Sequence, residues 1–107
     1  MANYEIDRER WAELTIFEQM GNVGAEVGRA INATRKGKDK RAQAAIDRAC
    51  DLLDATVEVL VAQGSPRVKE VLRAREEFLR LFYDGTFETD AGNIERYFNL
   101  FALVARS

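Results

Sequence analysis

The sequence predicts an all-α protein, an antiparallel up-down-up-down four-helix bundle preceded by a short N-terminal helical turn. Three observations carry that expectation. Apolar residues recur at steps of three and four through four long segments, the spacing that lines one face of a helix. The chain has a single proline, Pro66, and few of the turn clusters that punctuate β-proteins. The breaks between segments are short, and short connections make consecutive helices antiparallel neighbours. At 107 residues, one domain spanning 1–107 is expected.

Asp7 is placed to cap a short turn, "RERWAEL", that carries Trp11 and Leu14 toward the core. Thr15 followed by Glu18 predicts a capping box for the first long helix, which runs to about Arg35. "RKGKDK" breaks it. Asp39 is expected to cap a second helix extending to about Gln63, with Gly64 ending it. Ser65 and Pro66 read as N-cap and first residue of the third helix, which stops near Tyr83 with Gly85 just beyond. A polar loop, "DGTFETD", then leads to Thr89 or Asp90 as the cap of the last helix, ending near Ala105.

Winding these segments at about 100° per residue sorts their faces. The second helix gathers Ala45, Ile46, Ala49, Leu52, Leu53, Thr56, Val57 and Leu60. The third gathers Val68, Val71, Leu72, Phe78, Leu79 and Phe82. Ile94, Tyr97, Phe98, Phe101 and Val104 form the stripe of the fourth, while Leu103 points away from it.

The first long helix contains Gly21, Gly24 and Gly28, each costing about 1 kcal/mol relative to alanine inside a helix. Leu14, Phe17, Gly21, Gly24, Gly28 and Ile31 follow the alternating steps of a helix-contact seam, with Ile16, Met20, Val23 and Val27 beside it. Absence of Cβ there lets another backbone or a large ring approach closely. Tyr97, Phe98 and Phe101 are the expected fillers. Gly21, Gly24 and Gly28, with Phe17, therefore either pack on a neighbouring helix or line a groove for a partner. Their G-x2-G-x3-G spacing is not a dinucleotide fingerprint, because no strand precedes it.

Composition excludes several chemistries. Histidine is absent, which removes the commonest general acid/base and nitrogen metal ligand. Ser-His and Cys-His nucleophilic pairs cannot form within one chain, and no cofactor or metal is expected. Cys50 has no disulfide partner in the chain, which fits a reducing compartment and a cytoplasmic location. No signal peptide is read at the N-terminus. The run "YFNLFALVA" is too short to cross a bilayer, so no membrane association is expected. A formal net charge of −2 points to no polyanionic partner from the global field.

Local charge is more informative. Asp47, Asp51, Asp54 and Glu58 border the apolar face of the second helix. Lys69, Arg73 and Arg80 border that of the third, so the two rows predict a charge seam. Asp51 and Asp54 are the weak metal-ligand alternative. Arg75 falls within the third helix's apolar arc, where it needs a buried carboxylate partner or a bound ligand. Glu18, Asp54 and Glu76 are the candidate partners. Between Arg29 and Arg41, the bases Arg35, Lys36, Lys38, Lys40 and Arg41 form a candidate phosphate-binding junction; otherwise the segment is a solvated loop at a helix C-terminus.

The stretch "WAELTIFEQMGNVGAEVGRAI", residues 11 to 31, resembles the opening of a group of small bacterial helical proteins of uncharacterised role. They share [FY]-E-Q-M-G-N-[IV]-G-x-E-[IV]-G-R-A, and the similarity continues through "LRAREEF" and "YFNLFALVAR". That resemblance implies no activity. At the level of the fold alone, the chain also resembles four-helix proteins encoded within 23S rRNA intervening sequences or beside diversity-generating retroelements. This second resemblance implies an oligomeric accessory associated with nucleic acid. "EQMGNVGAEVGRAI" followed by "DLLDATVEVL" is similar in rhythm to the E-x2-E and E-x2-D helices of MazG-type magnesium-dependent nucleotide pyrophosphatases. Gln19 and Asn22 replace the first acids there, Glu26 is expected opposite the apolar face, and only Asp51 and Asp54 fit the second motif.

The leading expectation is a non-enzymatic helical bundle that forms a homo-oligomer or binds a partner protein. The alternatives are a nucleic-acid-binding accessory using the 29–41 junction and a degenerate pyrophosphatase.

Overall fold

The computed structural model describes residues 6–107, and no strand occurs among them. Five helices follow in order: α1 (Arg8–Glu13), α2 (Ile16–Arg35), α3 (Asp39–Ala62), α4 (Val68–Tyr83) and α5 (Phe87–Ala105). None of these is long and apolar enough to cross a membrane.

Local chemistry explains most of the boundaries. Asp7 accepts the Arg10 N–H at 3.2 Å and starts α1. Thr15 and Glu18 form the reciprocal box that starts α2, with bonds of 2.9 and 3.1 Å. Gln19 is buried just inside α2, and its side-chain amide donates to the carbonyls of Trp11 and Leu14 at 2.9 and 3.2 Å. Those carbonyls lie at the C-terminal end of α1, where the Trp11 carbonyl also accepts the Leu14 N–H at 3.2 Å. Trp11 Nε1 donates to Thr56 Oγ1 at 3.0 Å, so α1 is tied to both α2 and α3.

Three predicted caps are displaced. Lys38, not Asp39, is the N-cap of α3, and its side chain makes no capping bond. Ser65 accepts the Arg67 N–H at 3.2 Å, but that bond closes a turn and α4 begins only at Val68. The last helix starts at Phe87, ahead of the expected Thr89 or Asp90. Two effects favour the earlier start: Glu88 and Asp90 suit the positive end of the helix dipole, and the Phe87 ring packs 5.9 Å from Phe82.

Helix α2 packs against both α3 and α5, α4 packs against α3 and α5, and α1 lies on α3. Partner numbers run in opposite senses along α3 and α4, where Arg75 meets Asp54 and Tyr83 meets Gln43. The same reversal relates α2 to α5, where Gly21, Gly24 and Gly28 face Ala102, Phe98 and Glu95. One apolar cluster joins all five helices and includes Trp11, Met20, Val27, Leu53, Phe78 and Phe98.

The inner face of α4 differs from the expected one. Val71, Ala74, Phe78 and Leu81 are buried, whereas Leu72 is 47% exposed. The face is rotated by roughly 80° from the centre of the expected arc through residues 68, 71, 72, 78, 79 and 82. Ala74 faces inward because a small side chain suits a close helix approach, whereas hydrophobic size alone favours Leu72. The rotation turns the bases bordering α4 away from α3. Arg73 pairs instead with Glu77 at 3.4 Å, and Arg80 with Asp84 at 3.2 Å, both along their own helix. The acids of α3 find other partners, Glu58 with Arg8 at 3.2 Å and Asp54 with Arg75. The expected seam of matched rows does not form.

Candidate functional site

The glycines of α2 face α5. A Cβ added at Gly21 would meet the Ala102 Cα at 3.2 Å, and one at Gly24 would meet the Phe98 Cβ at 3.0 Å. Both separations are too short for an ordinary side-chain contact, so α5 closes any groove there. At Gly28 the nearest atom is the Glu95 carboxylate at 3.8 Å, an ordinary contact. The fillers are the backbone and Cβ of Phe98 and Ala102 rather than aromatic rings. Phe17 packs 6.2 Å from Phe101, and the Arg67 guanidinium stands 5.4 Å over its ring. Tyr97 packs edge-on to Phe98 and Phe101 at 5.2 Å, and its hydroxyl donates to Glu70 at 3.2 Å. Burial, then the Glu70 charge, pushes its phenol well above the usual range.

Arg75 is not in the middle of the buried face. Its Nε donates to Asp54 Oδ1 at 2.9 Å, with 33% and 52% of the two side chains exposed. Glu18 is engaged in the α2 capping box, and Glu76 lines an open outer groove with Leu72, Leu79 and Tyr83. Burial pushes the nearby Cys50 thiol up, Arg75 pulls it down, and Asp54, Asp47 and Asp51 add to the rise. Among the described residues no three His, Cys, Asp or Glu side chains converge to hold a metal, around Asp51 and Asp54 included.

The helix junction between α2 and α3 forms a concavity whose charged lining residues are all basic. Gly37 adopts φ 69° in the turn, and the Lys38 N–H closes it on the Ala33 carbonyl at 2.8 Å. The helices then leave side by side, and residues at steps of three and four converge between them. Arg29, Asn32 and Lys36 come from α2 and its end, Lys38 from the cap, and Arg41 and Arg48 from α3. They line a cavity of about 370 Å³ whose other walls are Ala33 and Ala44. Among the described residues no carboxylate lines it.

Glu26 supports this cavity and corrects an expectation. It lies within the buried face of α2 rather than opposite it, with 9% of its side chain exposed. Arg48 Nε stands 3.1 Å and Arg29 Nη1 3.0 Å from its two carboxylate oxygens. Burial opposes its ionisation, but the hydrogen bonds and charges of Arg48 and Arg29 outweigh that and hold the carboxyl below its ordinary value of 4.5. Because α2 is flanked by α3 on one side and α5 on the other, its buried arc is wider than its apolar one. Glu26 and Arg29, an acid and a base three residues apart, were the local signal of this pairing; Arg48 could be added only by the fold.

Of the expected phosphate-binding set, the fold brings together Lys36, Lys38 and Arg41, adding Arg29, Arg48 and Asn32. Lys40 is not among the lining residues. Arg35 is turned toward α5, 3.6 Å from Glu95 and 5.9 Å over the Phe87 ring. Apart from the neutral Asn32, the assembled polar groups are cationic hydrogen-bond donors. Such an array holds anions and offers no general acid or base for neutral pH.

Comparisons with protein-family models, with curated proteins and with solved structures found no match.

Proposed function

We propose that α2–α5 form one antiparallel up-down-up-down bundle which serves as a non-enzymatic interaction protein by associating with a second copy of itself. The observation that carries this reading is an apolar strip on the last turns of α5. Leu100, Leu103 and Val104 are 60%, 54% and 48% exposed, at the i, i+3, i+4 spacing that makes one continuous surface. The rotation of α5 is constrained on its other side, where Phe98 and Ala102 sit on the glycines of α2. Turning the strip inward would break that contact. A clustered apolar surface of this kind favours association, and a twofold contact lets the same strip cover itself.

The pyrophosphatase reading has less support. Gln19 spends its amide on the carbonyls of α1, and Glu26 is held by two arginines. Neither is disposed to clamp magnesium on a triphosphate.

Light scattering coupled to size-exclusion chromatography, over a wide concentration range, tests self-association. The expected result is a dimer or larger species for the native chain. A Leu100→Glu/Leu103→Glu variant should be monomeric with an unchanged helical circular dichroism spectrum. A native chain that stays monomeric at every concentration overturns the reading.

A further inference from the structure

We infer that the cavity at the α2–α3 junction binds a compact polyphosphate, the phosphate chain of a nucleotide or an inorganic oligophosphate. The chain as a whole has 16 basic and 18 acidic residues, so a concavity lined by five cations and no carboxylate is a strong local departure. Two of the five are held in place from below, since Glu26 fixes the guanidinium groups of Arg29 and Arg48. Lys36, Lys38 and Arg41 have no carboxylate within ion-pair distance among the described residues. They face the cavity with their charge uncompensated.

The backbone contributes in the same sense. Helix α3 begins at this cavity, and its N-cap, Lys38, supplies no side-chain acceptor for the first-turn N–H groups. Those donors and the positive end of the helix dipole favour an anion.

Size and surroundings select a compact ligand over a long polymer. A cavity of about 370 Å³ falls in the range of small-molecule sites. Duplex nucleic acid carries one charge per roughly 1.7 Å and needs an extended basic track. Beyond the cavity three of the arginines are engaged elsewhere: Arg35 with Glu95, Arg73 with Glu77 and Arg80 with Asp84. Among the described residues no aromatic side chain lines the cavity to stack a base, so the phosphates are what it recognises.

Isothermal titration calorimetry with inorganic triphosphate and, separately, a nucleoside triphosphate tests the assignment at low and high salt. The expected result is one saturable site that weakens as salt rises. Loss of two charged contacts in Lys38→Gln/Arg41→Gln should weaken binding by about tenfold or more. Arg73→Gln/Arg80→Gln removes the same charge elsewhere and should bind as the native chain does. Equal affinity for the two ligands assigns recognition to the phosphate chain alone, and tighter nucleotide binding assigns a nucleotide. Absence of saturable binding at low salt overturns the proposal, as do equal losses in the two variants. Binding confined to long RNA, with stoichiometry growing with its length, also overturns it.

Discussion

Gly24 stands so close to Phe98 that a methyl group on its α-carbon would lie 3.0 Å from the Phe98 Cβ and 3.4 Å from its carbonyl oxygen. The neighbour is backbone and Cβ, which cannot swing aside as the end of a long side chain can. One turn away, Gly21 meets the Ala102 Cα at 3.2 Å. At Gly28 the helices have separated, and Glu95 reaches across to Arg35 at 3.6 Å. Bare backbone at two positions thus fixes how α5 is rotated. That rotation buries Phe98 and Phe101 and leaves Leu100 and Leu103 outside.

Two of the interhelical arginine pairs on α3, Asp54–Arg75 and Glu26–Arg48, should respond unequally to truncation. Asp54 and Arg75 are both partly exposed, and water screens their attraction, so Arg75→Ala should cost about 0.2–1 kcal/mol. Arg48→Ala leaves the mostly buried Glu26 with only Arg29 and should cost about 1–3 kcal/mol. Urea denaturation of the two variants at neutral pH checks the order. A larger loss in Arg75→Ala would reverse it.

Acid should expose the role of Glu26. Its carboxyl ionises below the ordinary value of 4.5, so its contribution is complete above 4.5 and is lost as pH falls through the lower folded value. Glu26→Gln should be less stable than the native chain at neutral pH, and the two curves should converge in acid. Denaturation midpoints measured across this range provide the check. Parallel curves would show that Glu26 gains nothing from its arginines.

Much of the fold was legible because local patterns and tertiary packing agree. The capping box at Thr15 and Glu18, the face of α3 and the glycine seam follow from spacing and elementary stereochemistry. Failures occurred where a neighbour decides. Ala74 and Leu72 compete for the inner face of α4, and only the approach of α3 and α5 favours the smaller residue. Glu26 reads as solvent-facing until Arg48 arrives from another helix, 22 positions along the chain. The basic junction was visible as a run of charge, but Arg35 and Lys40 belong to the run and not to the cavity. Arg48 belongs to the cavity and not to the run.

The claim on which the rest depends is that the glycines of α2 set the rotation of α5 by direct contact. The most direct measurement compares the unfolding free energies of Gly24→Ala and Gly28→Ala. Gly28→Ala has room for its methyl group and should gain up to about 1 kcal/mol from helix propensity. Gly24→Ala must push Phe98 away and should lose about 1–3 kcal/mol. If both variants are stabilised alike, the α2–α5 contact is not tight and the rotation of α5 needs another cause.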